Sequence, residues 1–370
     1  MKRLRNVTVP EAVALALTIA VVVVILFGAA TSATAFGAFN YGWDGTADLR
    51  AVADATTDSA VLGNTSTYDR LPGNGTLAVV LGPSEPYTSA ELERIDAFVR
   101  RGGTLLVSGD FGPGANEVLA GIKATARIDG TVLRDERNHG RSPAFPLATT
   151  VSESAEGRVD GVEGGIDGVD ELALNYPSWV VMPNGTDGAI MAETSAYAYA
   201  DENRDGDLDD EESMRAYPIL TRESLENGTV LTLSDPSVFI NSMLDRGDNR
   251  AFAQALFSAS ERVRFDYTHS GEVPPLVQAL DVIRSSPLAQ FLFGTALVGG
   301  VVLLRKCGRD IRDRFGRRSP TVEDIELTES EIVDLVSKRH PDWDRDRVTR
   351  IATQLAARRS GHQEPVDDDP

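Results

Sequence analysis

The sequence predicts an α/β protein: a mainly parallel sheet with flanking helices, plus two transmembrane helices and a small cytoplasmic helical hairpin. Three observations predict it. Residues Leu77 to Gly112 read as one strand–helix–strand unit, charge-free apolar runs lie at 12–30 and before Arg305, and two amphipathic patterns flank Pro341.

The strand–helix–strand unit is explicit. Leu77 to Leu81 is a short apolar run closed by Gly82-Pro83, as expected of a strand buried on both faces. Thr88 and Glu91 have capping-box spacing, and Leu92, Ile95, Phe98 and Val99 follow at helical spacing. Arg100 and Arg101 suit the negative end of that helix, and Gly102-Gly103 supply a left-handed stop. Thr104 to Val107 is a second buried strand, parallel to the first because the crossover is helical. Ligands of such sheets bind beyond the strand C-termini, here Gly82-Pro83-Ser84 and Ser108-Gly109-Asp110.

Around this unit, Thr46 to Thr56 reads as a helix, Asn116 to Ala120 as a helix start and Ile122 to Ile128 as a strand. Residues 134–168, rich in Gly, Asp, Glu and Ser, read as loop. Strands are expected at Glu171–Asn175, Trp179–Met182, Ala189–Ala192, Ala196–Ala200, Ala216–Leu220, Thr229–Leu233 and Arg262–Tyr267. Helical pieces are expected at Val238–Leu244 and Arg250–Phe257.

The run at 12–30 covers about 28 Å as a helix, enough to cross a bilayer, and Lys2, Arg3 and Arg5 precede it. A cleavable signal peptide ending near Ala33-Thr34-Ala35 is its rival reading. Seven basic residues from Arg305 to Arg318 follow the second run, which places the tail in the cytoplasm by the positive-inside rule. The resulting layout has seven parts. They are a cytoplasmic N-terminus (1–11), a first span (12–32), an extracellular α/β domain (33–273), a juxtamembrane helix (274–286), a second span (287–304), a cytoplasmic basic linker and helical hairpin (305–362), and an acidic tail (363–370). The expectation is a two-pass protein of the cell membrane, both termini cytoplasmic, with the lipid bilayer as a partner. Cys307, beside the second run, reads as an interfacial cysteine or an acylation site.

The chain carries 56 acidic and 36 basic residues, net −20, with lysine only at 2, 123, 306 and 338. That balance suits a halophilic, archaeal host and excludes duplex nucleic acid, whose phosphates such a surface repels. One cysteine excludes an intramolecular disulfide and a Cys-based zinc site. Sequons at Asn64, Asn74, Asn184 and Asn227 all fall between the two apolar runs.

The stretches GPSEPYTSAELERIDAFVRRGGTLLVSGDFGPG, LSDPSVFINSMLDRGDNRAF and FDYTHSGEVPPL carry a resemblance. Together they resemble an uncharacterised membrane-anchored family within the class I glutamine amidotransferase-like superfamily, across residues 47–275. The resemblance implies a flavodoxin-like, amidotransferase-like sheet. It also implies a MoxR-type ATPase or transporter component as partner, reached through the cytoplasmic tail. The thiol chemistry of that superfamily is missing, because its cysteine turn reads Ser108-Gly109-Asp110-Phe111 here. No catalytic residue is therefore expected, and the chain reads as a binding or interaction module of a membrane assembly. Two other readings stand beside it: a metal-assisted hydrolase using Asp110, Asp235 or His269, and a calcium-stabilised structural domain.

Two groups of site residues are expected. Asp110, Asp235, Ser237, Asn241, Asp248 and Asn249 would line a ligand cleft at the strand C-termini, or else cap helices and turns. Asp201 to Glu212, DENRDGDLDDEE, has the twelve-residue calcium-loop spacing. Its ligands would be Asp201, Asn203, Asp205, the carbonyl of Asp207, Asp209 through water, and Glu212, with Gly206 at the turn and Leu208 tucked inward. Calcium is the one cofactor expected. Asp266 and His269 could add a metal or proton site, or His269 could serve Ser108 in a serine hydrolase.

Overall fold

The structure, a computed structural model, describes residues 9–150, 168–183, 185–271, 273–296, 298–300 and 329–360. These fall into two compact units, residues 1–285 and 286–370.

In the first unit, α1 (Val9–Ala30) and α2 (Ala47–Thr56) precede β1 (Asp58–Leu62) and a 3-10 turn at Thr65–Arg70. Then come β2 (Thr76–Leu81), α3 (Ser89–Arg100), β3 (Thr104–Ser108) and α4 (Gly114–Gly121). Eight short strands follow: β4 (Arg127–Ile128), β5 (Val132–Asp135), β6 (Leu147–Thr150), β7 (Glu171–Ala173), β8 (Val180–Val181), β9 (Gly188–Glu193), β10 (Ala198–Asp201) and β11 (Pro218–Leu225). The unit closes with β12 (Gly228–Leu233), α5 (Asn249–Ser258), β13 (Arg262–Asp266) and α6 (Pro275–Ser285).

The main sheet has nine strands in the order β1-β13-β2-β3-β12-β11-β9-β6-β7. Strands β1, β13, β2, β3 and β12 are mutually parallel, and every pairing from β12 outward to β7 is antiparallel. The sheet is therefore mixed, which corrects the expectation of a mainly parallel one. The reason is local. Strands β11 and β12 are joined through Glu226-Asn227, a connection far too short for a parallel crossover.

The parallel half is a three-layer sandwich. Along β2, Leu77, Val79 and Leu81 pack with Leu49 and Val52 of α2 and Phe252 and Leu256 of α5, while Ala78 and Val80 pack with Ile95, Phe98 and Val99 of α3. Both faces are buried, so the strand reads as an unbroken apolar run. At the start of α3, the Glu91 carboxylate accepts from the Thr88 N–H and the Thr88 hydroxyl, each at 2.8 Å. At its end Gly102 takes φ 98°, and a Cβ there would strike the Asn74 side-chain oxygen.

No helix among the described residues is long and apolar enough to cross a membrane. That overturns the expected spans at 12–32 and 287–304, and with them the two-pass cell-membrane localisation. In the first run the helix starts at Val9, so Glu11 falls inside it, and α6 lies beside it. In the second, residues 287–296 and 298–300 are helical. Residues 301–304, Cys307, the basic linker and the acidic tail lie outside the described residues.

In the second unit, α7 (Glu329–Arg339) and α8 (Arg345–Ser360) form the expected helical hairpin. Val348 and Ala352 are its buried apolar side chains, and His340 stacks on Trp343 with ring centroids 4.1 Å apart.

Candidate functional site at the C-terminal edge of the parallel strands

The helices after β3 and β12 lie on opposite faces of the sheet, since α4 packs with α3 and α5 packs with α2. Strands β3 and β12 are neighbours, so the turns that leave them diverge and open the sheet edge between them. The turn after β3 carries Ser108, Gly109 and Asp110; the turn after β12 carries Ser234 and Asp235. The structure thus brings Asp110 and Asp235 into one electrostatic neighbourhood.

Asp235 is fully buried. Its Oδ1 accepts from the Ser237 N–H at 2.8 Å and its Oδ2 from the Asn175 N–H at 2.7 Å. Burial pushes its pKa up to about 7, the two amides oppose that rise, and the Asp110 charge adds to it. Asp110, half-buried, accepts from the Phe111 N–H at 2.6 Å, and burial raises its pKa as well.

The other residues expected here hold backbone. Asn241 donates to the carbonyls of Asn40 and Gly42 at 3.1 and 2.6 Å and accepts from the Asp48 N–H at 3.0 Å. It staples the 40–48 segment to the turn after β12. Asp248 accepts from the N–H groups of Asp170 and Glu171, and Asn249 bonds both the N–H and the C=O of Ala173. Those contacts stitch β7 to the start of α5. Ser237 is buried; its main-chain N–H donates to Asp235 at 2.8 Å, and its hydroxyl also favours the ionised Asp235 carboxylate.

Ser108 and His269 do not meet as a catalytic pair. The Ser108 hydroxyl, 0% exposed, donates to the Leu233 carbonyl at 2.9 Å. The His269 Nε2 instead faces the Glu91 carboxylate at 3.2 Å, and Tyr87 packs on its ring with centroids 4.2 Å apart. Glu91 is held below the usual carboxylate range by its bonds to Thr88 and by His269, which together outweigh its burial. Beneath them, the buried Tyr68 hydroxyl donates to Asp266 Oδ2 at 2.9 Å. Tyr68→Phe is expected to cost about 1–3 kcal/mol in denaturant unfolding, because it strips a donor from a buried carboxylate oxygen. Nothing in the local sequence around Tyr68 signals that bond, which spans 198 residues.

A cleft of about 220 Å³ lies between the turn after β2 and the turn into α4. Pro83, Pro86 and Pro113 form rigid walls, and Glu85 and Glu117 supply negative charge. The His269 carbonyl pins the near wall by accepting from the N–H groups of Ser84 and Glu85 at 2.9 and 3.2 Å. The sequence marks both turns but singles out neither glutamate. Their exposure and lack of motif context left no signal.

These features define the class: a mixed-sheet, three-layer α/β domain with a small acidic cleft at the C-terminal edge of its parallel strands. The chain belongs to the DUF4350 family, a domain of unknown function, whose family model matches residues 38–257. No curated protein matches it. Among solved structures it is similar to the mmIFT52 N-terminal domain, at 16% identity and TM-score 0.43, covering 57% of this chain and 88% of that one. It is also similar to a cytoplasmic protein from Salmonella typhimurium LT2, at 12% identity and TM-score 0.30, covering 56% and 77%. For a beta-galactosidase from Bacillus circulans the values are 13% and 0.27, covering 48% of this chain and 22% of that one.

Proposed function

We propose that this domain is a non-catalytic binding module that takes a cationic group, such as a basic side chain of a partner protein, into the cleft between the turns after β2 and β3. One observation carries the reading: where an amidotransferase-like enzyme needs an activated nucleophile, Ser108 is sealed under the sheet edge with its hydroxyl spent on Leu233. Asp235, beside it, has both oxygens occupied by main-chain amides. Nearby, a proline-walled recess with two glutamates stays open to solvent. A carboxylate pair at such a rim favours a cation and sets selectivity more than affinity. The MoxR-type partner that the resemblance implies belongs to this reading, with α7 and α8 as a second docking element.

The test is a fluorescence-anisotropy titration of the purified full chain with an arginine-rich peptide at moderate salt. Glu85→Gln combined with Glu117→Gln is expected to weaken binding about tenfold, while Glu226→Gln with Asp245→Asn leaves it unchanged. Equal loss from both pairs would show only diffuse attraction to an acidic surface and would end the proposal. So would hydrolase or glutaminase turnover that vanishes in Asp110→Ala.

A further inference from the structure

The acidic loop after β10 has no part in the cleft. We propose that residues 201–212 are a calcium site: an oxygen-lined loop that closes on one hard divalent cation.

The backbone is already wound for this. Arg204 and Gly206 adopt left-handed conformations, φ 61° and 91°, so the chain curls back on itself. The Asn203 side-chain amide donates to Asp205 Oδ2 at 2.9 Å and to Asp209 Oδ2 at 2.7 Å. Ligand positions three, five and nine therefore converge, with an N–H group standing where a cation would serve better. Glu212, the twelfth position, reaches back to the Glu202 N–H at 2.8 Å and the Asp209 N–H at 3.2 Å.

Asp201 points independently to a missing ligand. Its side chain is 0% exposed at the base of the loop. Its Oδ2 accepts from Arg134 Nε at 2.5 Å, but its Oδ1 is buried with no hydrogen-bond partner. A buried carboxylate oxygen left bare is costly, and a bound cation removes the cost. The phenol of Tyr199 donates to the Gly206 carbonyl at 3.2 Å, which ties the glycine turn of the loop back to β10.

Among the described residues no three His, Cys, Asp or Glu side chains are yet gathered as a finished metal cage. On binding, the carboxylates close around the cation and Asn203 turns its side-chain oxygen inward. Leu208, expected to tuck inward, is 40% exposed and gives the loop no hydrophobic anchor. Calcium is favoured over magnesium because several flexible oxygen ligands suit its larger, less regular shell.

The experiment is calorimetric titration of the chelator-stripped full chain with calcium chloride, and separately with magnesium chloride, in about 0.5 M sodium chloride to screen surface charge. One saturable site per chain is expected, with Kd between about 10⁻⁵ and 10⁻³ M and weaker binding of magnesium. Glu212→Gln should weaken calcium about tenfold or more. Asp205→Asn, an exposed position, should do the same and serves if Glu212→Gln misfolds. Absence of saturable heat up to about 10 mM calcium overturns the proposal. So does affinity unchanged in both variants, which would mean an adventitious ion only.

Discussion

Asp235→Ala is expected to lower the unfolding free energy by about 2–5 kcal/mol, seen as a lower denaturant midpoint at unchanged m-value. The side chain is fully buried and satisfies the main-chain N–H groups of Asn175 and Ser237. Removing it leaves the buried Ser237 N–H and the half-buried Asn175 N–H bare and detaches the segment at Asn175 from the turn after β12. The loss should depend on pH. Folding raises the Asp235 pKa from 3.8 to about 7, chiefly by burial. Below about pH 4 both states hold the proton and the stabilisation from protonation is fully present; as pH rises to about 7 the unfolded state has already released its proton, so that stabilisation drains away. It amounts to at most about 4 kcal/mol, from roughly three pK units. The gap between wild type and Asp235→Ala should accordingly narrow from pH 4 to pH 7. A gap that stays constant would mean that the two amides hold Asp235 ionised throughout, with Asp110 too distant to matter.

Asn249→Ala is the second large effect, about 2–4 kcal/mol by the same measurement. Asn249 is fully buried, accepts from the Ala173 N–H at 3.0 Å, and donates to the carbonyls of Ala173 and Met243 at 2.9 and 3.0 Å. It is the pin between the outermost strand, β7, and the first turn of α5. A three-residue strand has little pairing of its own, so losing the pin should expose residues 168–175 to limited proteolysis before the rest of the domain unfolds. Asp248, which accepts from Asp170 and Glu171, would keep part of the attachment, and Asp248→Ala should add to the loss less than independently. A normal midpoint for Asn249→Ala, with altered ligand binding instead, would return the residue to the cleft.

What was legible from sequence follows the range of the forces involved. The unit from β2 through α3 to β3 was readable because each signal is local: a capping box, a stripe at helical spacing, a glycine stop, and strands apolar on both faces. The helical hairpin was readable for the same reason. The strand β1 was missed because Asp58–Leu62 mixes polar and apolar residues without alternation, and only pairing with β13 makes it a strand. Short strands such as β6, from Leu147 to Thr150, were hidden in a polar stretch for the same cause. The apolar run at 12–30 invited a membrane reading because hydropathy counts residues and not neighbours.

The site divides in the same way. Asp110 and Asp235 were identified because each ends a buried strand, and the ends of parallel strands share an edge. Whether such a residue binds a ligand or holds a backbone depends on which amides lie within 3 Å, and no spacing rule reaches Asn175 from Asp235 or Ala173 from Asn249.

The sequence by itself determined the strand–helix–strand unit, the strongly acidic composition, a turn after β3 that holds no cysteine, and a loop with the oxygen spacing of a calcium site. Only the tertiary structure decided that β13 inserts between β1 and β2, that the sheet turns antiparallel beyond β12, and that most of the polar cluster is bonded to main chain. The physical reason is that caps and periodicity act within a few residues, whereas strand order and polar pairing are fixed by burial shared between segments up to about 200 residues apart.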